Sequence, residues 1–354
     1  MSHASIQDGP GRADDHADTV GEQIDQLITL EIKNRGLPHN LVRSMYAAAR
    51  RHSGGRPLSM VAAERLRATL GRGDTVLMLT GAGYPPTMPT GENDGPPGLI
   101  SLANALYRGL GAVPVFVCEA IHSGPIVATS EAAGLMVRDF EVARDYRLGA
   151  AISPAPDGAG AVEPWLDGLF ARTTPKALVT AERLGPAPDG KLYSATAHCF
   201  TDAAAKAGYE IVDLAPVVER AGRLGLPTVG VGDHGNELGF GAIREAVVAC
   251  VPNGERMATT VATDLILPCM MSNWGCYGIQ AALAFLLRRP DLLHTPEQEE
   301  RIVRACLDSG GLEGMNCTTT FTVDGLDGRT SMACIQILRD IVSKGLEAPV
   351  TRLV

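Results

Sequence analysis

Residues 227–247 read PTVGVGDHGNELGFGAIREAV, in which a short apolar run leads into a glycine-rich loop and then a helical pattern. Short β-branched runs bounded by glycine and proline predict buried strands. Comparable runs occur elsewhere in the chain, at residues 75–80, 113–118, 176–181, 209–214 and 264–269. Most are also followed by a glycine-containing loop and a helical pattern. This alternation predicts an α/β fold: a mainly parallel sheet with helices on both faces, in a Rossmann-like three-layer arrangement.

The segments outside these runs predict the domain organisation. Apolar residues spaced three and four apart predict helices over residues 22–33 and 41–52. The polar, acidic residues 1–20 predict a loose N-terminal tail, and residues 21–354 then form a single α/β domain. Residues 123–171 are rich in proline and glycine, so a small inserted lid is expected there if the fold has one.

Composition and charge narrow the class of partner. The 354 residues include 31 basic and 40 acidic ones, and the net charge of −9 repels nucleic acid. No apolar run approaches the roughly 20 residues of a membrane-spanning helix. The N-terminus lacks a targeting pattern, and the eight cysteines include no C-x-x-C pair, which favours a reduced, cytoplasmic setting. We therefore expect a small-molecule partner, with neither nucleic acid nor membrane, and leave a homo-oligomer open.

The glycine-rich loop invites comparison with a dinucleotide-binding loop. Gly230, Gly232 and Gly235 satisfy the G-x-G-x-x-G spacing, and Glu255 lies 20 residues beyond the last glycine. Asp233 argues against this interpretation, because a carboxylate among the backbone amides would repel a pyrophosphate. A non-catalytic nucleotide- or metabolite-binding module is nevertheless one alternative for this chain.

The preferred interpretation gives this loop a chemical role. Many glycines in an apolar context weaken a fold unless the backbone must approach something closely. Three polar side chains of the loop would then face a cation, an ammonium group or a metal ion: Asp233, Asn236 and Glu237. The alternative is a solvated acidic turn.

Two more loops that follow predicted strands carry charged residues. Residues 80–98 place Asp94 just before a helix, either as a helix cap or in a loop whose backbone amides face an anionic ligand. Residues 180–194 place Glu182 and Arg183 directly after a strand. Arg183 could clamp a substrate carboxylate, or the two could form a surface ion pair.

A further loop interrupts two apolar stretches between residues 264 and 287 with Ser272, Asn273 and Trp274. A polar pair beside a tryptophan is typical of a ligand wall. The alternative is a buried capping turn in which Ser272 or Asn273 satisfies backbone amides.

Five ordered motifs carry a resemblance to a known family. They are TGENDGPPG (90–98), AERLGPAPDG (181–190), VGVGDHGNELGFG (229–241), MMSNWGCYG (270–278) and TVDGL (322–326). Over about residues 40 to 345 the chain resembles the D-glutamate cyclase family, specifically its C-terminal catalytic-type domain. The resemblance implies a cytosolic or mitochondrial α/β protein, a carbon–oxygen lyase that converts D-glutamate to 5-oxo-D-proline and water. His234 stands where the family usually has glycine and Asn93 where threonine is common, so a related amino acid is also a candidate substrate.

Closing a lactam requires several acids. The amino group must lose a proton, and the departing oxygen must gain one or bind a cation. We expect Asp233 and Glu237 to transfer protons or bind a metal, with Glu182 as a second acid. Arg183 is expected to bind a substrate carboxylate, and Asp94 the ammonium group or a metal.

Four other side chains are expected to bind or orient the substrate: Asn236, Ser272, Asn273 and Trp274. The motifs make no cofactor certain, although Mn²⁺ or Mg²⁺ suits the carboxylates of Asp94, Asp233 and Glu237. The nearest alternative function uses the same site in reverse, as a hydrolase that opens a small lactam or cyclic amide.

Overall fold

The computed structural model describes residues 10–32 and 37–347. Its α-helices are α1 (Pro10–Ile28), α2 (Leu41–His52), α3 (Leu58–Thr69), α4 (Pro96–Leu110), α5 (Ser123–Ala132), α6 (Phe140–Tyr146), α7 (Ala159–Thr173), α8 (Phe200–Lys206), α9 (Ala215–Arg223), α10 (Arg244–Cys250), α11 (Gly254–Met257), α12 (Ser272–Leu286), α13 (Pro296–Asp308) and α14 (Gly328–Leu346). Its strands are β1 (Thr75–Leu79), β2 (Val113–Glu119), β3 (Ala151–Ala155), β4 (Ala177–Ala181), β5 (Thr228–Gly232), β6 (Leu265–Pro268), β7 (Thr322–Val323) and β8 (Leu326–Asp327).

Six strands form one parallel sheet in the order β3-β2-β1-β4-β5-β6. Parallel neighbours need crossover connections, which the intervening helices supply. The strand order reverses between β1 and β4, as in doubly wound folds, where ligands bind beyond the carboxyl ends of the strands near the reversal. The predicted fold class is confirmed.

Helices cover both faces of the sheet because successive strand side chains point to opposite sides. Met78 of β1 packs into a core layer with α1 to α4 and α12 to α14, whereas Leu77 and Leu79 pack with α6, α7 and α9. Every residue of α12 from Ser272 to Phe285 is buried. Within the described ranges, no helix combines the length and the apolar character that a membrane crossing requires.

Five of the six predicted strands are present, and one prediction is wrong. Residues 209–214 form no strand: Tyr209 is exposed, and the backbone N–H of Val212 donates to the Glu119 carboxylate. The sequence prediction also missed β3, whose Pro154 removes a backbone donor. Proline is tolerated there because β3 lies at the edge of the sheet.

Two predictions of domain organisation are corrected. Residues 123–171 form no inserted lid, because they contain α5, α6, β3 and most of α7, and β3 pairs with β2 in the main sheet. The predicted tail is wrong from residue 10 onward, since α1 begins at Pro10 and Val20 lies in the core. Residues 1–9 lie outside the described residues. The assignment of residues 21–354 to one domain stays a prediction.

Candidate active site

Four carboxylate side chains meet beyond the carboxyl ends of the strands that flank the reversal in strand order. Glu182 directly follows β4, Asp233 and Glu237 follow β5, and Asp94 lies in the loop between β1 and α4. All four are buried. Ligand oxygens of Asp94, Glu182 and Asp233 lie within 4.8 Å of one another, and Asp233, Glu237 and a ring nitrogen of His234 form a second such group. We call the four carboxylates the acid cluster.

Glu182 is held in an unfavourable backbone conformation. Its φ of 47° is in the left-handed region, which costs a non-glycine residue about 1–2 kcal/mol. The hydroxyl of Ser272 donates a hydrogen bond to Glu182 Oε2 at 2.6 Å. Gly95 is required beside it, because a Cβ at Gly95 would lie 2.6 Å from the Glu182 Cβ. Such local strain is typical of functional positions.

The first turns of α4 and α12 cap each other. Asp94 accepts hydrogen bonds from the backbone N–H groups of Ser272 at 3.0 Å and Asn273 at 2.8 Å. In return, Asn273 Oδ1 accepts from the N–H groups of Gly95 at 3.0 Å and Gly98 at 2.7 Å. The amides of Gly95 and Gly98 at the start of α4 are therefore occupied, which favours the capping alternative over an anion-binding loop at residues 80–98. Ser272 and Asn273 contact the carboxylates and helix ends, as in the capping alternative, and do not line the cavity described below.

Glu237 occupies the amides of the glycine-rich loop. Its Oε1 accepts from the backbone N–H groups of Asp233 at 2.8 Å and His234 at 3.0 Å, and its Oε2 accepts from that of Gly235 at 2.7 Å. A side chain at Gly232 would collide with this carboxylate. The protein's own carboxylate thus takes the amides that a dinucleotide pyrophosphate would need, despite the matching glycine spacing.

Burial of several carboxylates together favours protonation of some of them. Burial, followed by the negative charges of Asp233 and Glu237, raises the pKa of Glu182 well above its ordinary value. Burial and the neighbouring Asp233 also raise the pKa of Glu237 to about 8, although backbone N–H groups favour its charged form. Ionising all of these neighbouring carboxyl groups at once would cost a large electrostatic free energy. The acid cluster therefore holds protons at neutral pH.

These shifts predict that the metal-free protein loses stability as pH rises. The native chain keeps protons that the unfolded chain releases near 4.5, so the free energy of unfolding falls from that pH through about 8. Glu182→Gln imitates the protonated acid and should flatten the dependence. Melting temperatures measured from pH 5 to 8 in a chelator test this, with the exposed Glu163→Gln on α7 as the matched control. Parallel profiles for wild type and Glu182→Gln would contradict the buried proton.

The acid cluster lies beside a cavity of about 340 Å³. Three acids face it: Glu92, Glu182 and Asp324. The other polar groups that line it are those of Ser194, Thr196, His198, His234 and Asn236. The apolar surface comes from Leu37, Ala82, Tyr84, Leu184, Phe200 and Met315. Of the predicted site residues, the cavity thus exposes Glu182 and Asn236.

Sequence reasoning missed several cavity residues. Glu92 and Asp324 each lie within one of the five motifs, and this position in a motif is the sequence signal that marks them as candidate site residues. Asp324 reaches the site through the tight turn between β7 and β8, where its φ is 54° and that of Gly325 is 77°. Tyr84 and Phe200 stack with their ring centroids 3.9 Å apart. No sequence pattern joins these two rings, because they are more than a hundred positions apart.

Asn236 and His234 connect the acid cluster to the cavity. The side-chain amide of Asn236 donates to the backbone carbonyl of Tyr193 at 2.8 Å and so fixes the loop that forms one wall. His234 pairs through Nδ1 with Asp233 Oδ1. His234 also lines a smaller neighbouring cavity with Asp233 and Met270. These two side chains are the polar groups placed to contact a ligand bound against the acids.

Arg183 does not serve as a clamp for a substrate carboxylate, and that prediction is wrong. Its guanidinium is buried and donates to Glu119 Oε2 at 2.5 Å, to the carbonyl of Gly81 at 2.8 Å and to the carbonyl of Val212. Although burial alone would raise the pKa of Glu119, the Arg183 charge lowers it to about 2. This buried pair joins β2, the residues just after β4 and the loop between α8 and α9 that contains Val212.

Trp274 also does not form part of the wall of the ligand cavity. Its ring is buried in the core layer of α12, and its Nε1 donates to the hydroxyl of Ser331 at 3.1 Å. Trp274 does not line the 340 Å³ cavity. The prediction that it contacts substrate is therefore wrong, and its role is in packing α12 against α14.

The acid cluster fits a divalent cation. Asp94, Glu182 and Asp233 offer oxygen atoms within 4.8 Å of one another, and carboxylate oxygens are the ligands that Mg²⁺ and Mn²⁺ prefer. Buried carboxylates need compensation by protons or a cation. Asp94 and Glu237 each already accept hydrogen bonds from three backbone N–H groups, which lowers the capacity of both carboxylates to bind a cation.

Cation binding to these oxygens should raise thermal stability. At about 100 times its Kd, a cation that binds only the native state adds about 2.7 kcal/mol to the free energy of unfolding. We expect Mn²⁺ or Mg²⁺ to raise the melting temperature of chelator-treated wild type. Asp233→Asn should remove most of the increase, and Glu163→Gln none of it. Equal increases in both variants would show that the cation binds elsewhere.

Comparison with known proteins identifies related sequences. The sequence pattern of a family described as "D-glutamate cyclase-like, C-terminal" matches residues 24–339. The human protein "D-glutamate cyclase, mitochondrial" is 27% identical over 274 residues, which are 75% of this chain. The match covers 38% of that human protein's own length, so this chain corresponds to part of it.

One similar solved structure is that of the ycaC gene product of Escherichia coli, which is described as an octameric hydrolase of unknown specificity. Its sequence is 15% identical to that of this chain. It covers 62% of this chain and 93% of its own, with a TM-score of 0.22. A TM-score at this level supports no conclusion about assembly or activity.

Proposed function

Because the chain belongs to the D-glutamate cyclase-like family, we propose that it is an enzyme of lactam chemistry that cyclises D-glutamate or a related amino acid. The observation that carries the proposal is the acid cluster, buried at the reversal of the sheet and open to a cavity through Glu182. The related human protein is named as a cyclase. The resemblance and the arrangement of acids support the same class of reaction.

Two acids of the cluster suit the two proton transfers of the reaction. Glu182 retains a proton because burial and its carboxylate neighbours raise its pKa, so it is the general acid for the departing oxygen. Asp233 is the carboxylate that accepts the proton of the attacking nitrogen. The nitrogen forms a bond to the side-chain carbonyl carbon, and the departing oxygen leaves as water.

The cavity supplies the positioning that a ring closure needs. Holding nitrogen and carbonyl carbon near about 3–3.5 Å makes the attack effectively unimolecular. Asn236 and His234 line the cavity beside the acids and can orient the folded substrate. Asp94, Glu182 and Asp233 are the residues that would hold Mn²⁺ or Mg²⁺. With the cation bound these carboxylates would be ionised, and the cation would polarise a carboxyl oxygen as a Lewis acid in place of the proton on Glu182.

A substrate assay tests the proposal. Purified protein is incubated with D-glutamate, L-glutamate and both enantiomers of 5-oxoproline, with and without Mn²⁺ or Mg²⁺, and products are separated by chiral chromatography. We expect 5-oxo-D-proline from D-glutamate, and the reverse reaction only toward equilibrium. Opening of 5-oxoproline without measurable closure would favour a lactam hydrolase. Turnover of none of these, nor of amide derivatives, would refute lactam chemistry.

A further inference from the structure

The charge of the cavity selects against a substrate with two free carboxylates. Glu92, Glu182 and Asp324 line the cavity. The other members of the acid cluster lie next to Glu182 and do not line this cavity. Among the described residues that line the cavity there is no lysine or arginine, and Arg183 is taken up by Glu119. Two like charges 4 Å apart repel by about 4 kcal/mol at an effective dielectric constant of about 20. A side-chain carboxylate brought into this cavity meets such repulsion from Glu92 and Asp324, whereas a neutral amide does not.

The size of the cavity leaves room beyond a five-carbon amino acid. About 340 Å³ falls at the lower end of the range that holds drug-sized ligands, about 300–1,000 Å³. An amino acid of about ten non-hydrogen atoms is far smaller than such ligands. The remaining volume has room for an additional group on the substrate.

The wall of the cavity indicates the chemistry of that group. Tyr84 and Phe200 stack nearly parallel, with 3.9 Å between centroids and 7° between planes. His198 meets Phe200 edge-on at 5.8 Å. Leu184, almost fully buried, belongs to the same apolar cluster as Phe200. Aromatic and aliphatic surface of this kind favours an apolar or aromatic substituent.

Building on the proposed function, we propose that the preferred substrate is the side-chain amide of a glutamate-type amino acid, with an apolar or aromatic amine as the leaving group. The substrate's amino nitrogen attacks the neutral amide carbonyl and forms the lactam C–N bond. The bond to the leaving amine then breaks. Glu182 donates a proton to the departing nitrogen, and Asp233 accepts the proton of the attacking nitrogen. The products are the lactam and the free amine, and no further reactant is needed.

The experiment compares D-glutamate, D-glutamine and D-glutamic acid γ-benzylamide, each beside its L-enantiomer, with 5-oxoproline and released amine measured together. We expect kcat/KM for the benzylamide to exceed that for glutamate by at least about tenfold, the scale of burying one aromatic group. Equal release of lactam and benzylamine is also expected. Release of benzylamine with glutamate instead of lactam would identify hydrolysis and overturn the inference.

Variants of the wall distinguish the inference from the proposed function. Phe200→Ala should raise KM for the benzylamide by about tenfold more than for D-glutamine, and Phe200→Leu should give a smaller difference. Tyr209→Ala, which removes an exposed ring outside this cavity, is the matched control. If D-glutamate cyclises and the benzylamide does not, the inference fails while the proposed function stands. If no compound yields lactam, both fail.

Discussion

Asp233→Asn should lower the rate of lactam formation by at least about 10²-fold, the scale of removing a group that transfers a proton. The substitution keeps the size of the side chain and deletes a charge from a buried group of like charges. Because Asp94, Glu182 and Asp233 share one site, losing one charge relieves repulsion between those that remain. We therefore expect the melting temperature to stay unchanged or to rise. Steady-state kinetics and thermal unfolding of the same preparation measure both.

A second aspartate controls for the chemical change itself. Asp167→Asn makes the same substitution on the exposed face of α7, where Asp167 pairs with Arg220, and should leave the rate unchanged. His234→Gly introduces the residue usual in the resembled family and removes the Nδ1 that pairs with Asp233 Oδ1. We expect this variant to fold and to widen activity toward D-glutamate. An Asp233→Asn rate within about threefold of wild type, at an unchanged melting temperature, would remove this loop from the mechanism.

Arg183→Met should reduce the free energy of unfolding by about 3–5 kcal/mol, the cost of breaking a buried ion pair by removing one partner. Glu119 would keep His122 Nδ1, at 2.7 Å, and the backbone N–H of Val212 as partners. The Glu119 carboxylate stays buried in the variant. Burial raises its pKa, which the Arg183 charge and the His122 hydrogen bond together hold at about 2 in the wild type. It also deprives the carbonyls of Gly81 and Val212 of their donor. Denaturant unfolding at pH 7 measures the loss.

A double substitution separates this structural role from substrate binding. Glu119→Gln removes the negative charge, so the combined variant Arg183→Met/Glu119→Gln should lose less stability than the sum of the two single variants. A substrate clamp would behave differently. If Arg183→Met keeps wild-type stability and raises only KM, the guanidinium binds substrate and the buried pair is unimportant.

The periodic parts of the sequence determined most of the fold. Strands buried on both faces need nearly continuous apolar runs, and helices need apolar residues on one side, so β1, β2, β4, β5 and β6 could be predicted from local pattern. The strand β3 escaped prediction because an edge strand tolerates proline and polar residues. The strand predicted at residues 209–214 is absent, because an apolar composition alone does not provide a neighbouring strand to pair with.

The sequence also located the acid cluster, because loops that follow parallel strands converge at one edge of a sheet. Asp94, Glu182, Asp233 and Glu237 were all found from that rule. It could not tell which of them reaches the cavity. Glu182 lines the 340 Å³ cavity and Asp233 the smaller cavity beside it, whereas Glu237 is bound by backbone amides of its own loop.

The orientation of two adjacent charged side chains is the clearest feature that depends on the tertiary structure. Glu182 and Arg183 are adjacent charged residues in the sequence, but the tertiary structure directs their side chains to different partners. Glu182, with its φ of 47°, faces the acids and the cavity, whereas Arg183 reaches Glu119 on β2. The local sequence determined that a charged pair follows β4. Which charge meets the substrate was decided by contacts with residues more than sixty positions away, which a local pattern does not contain.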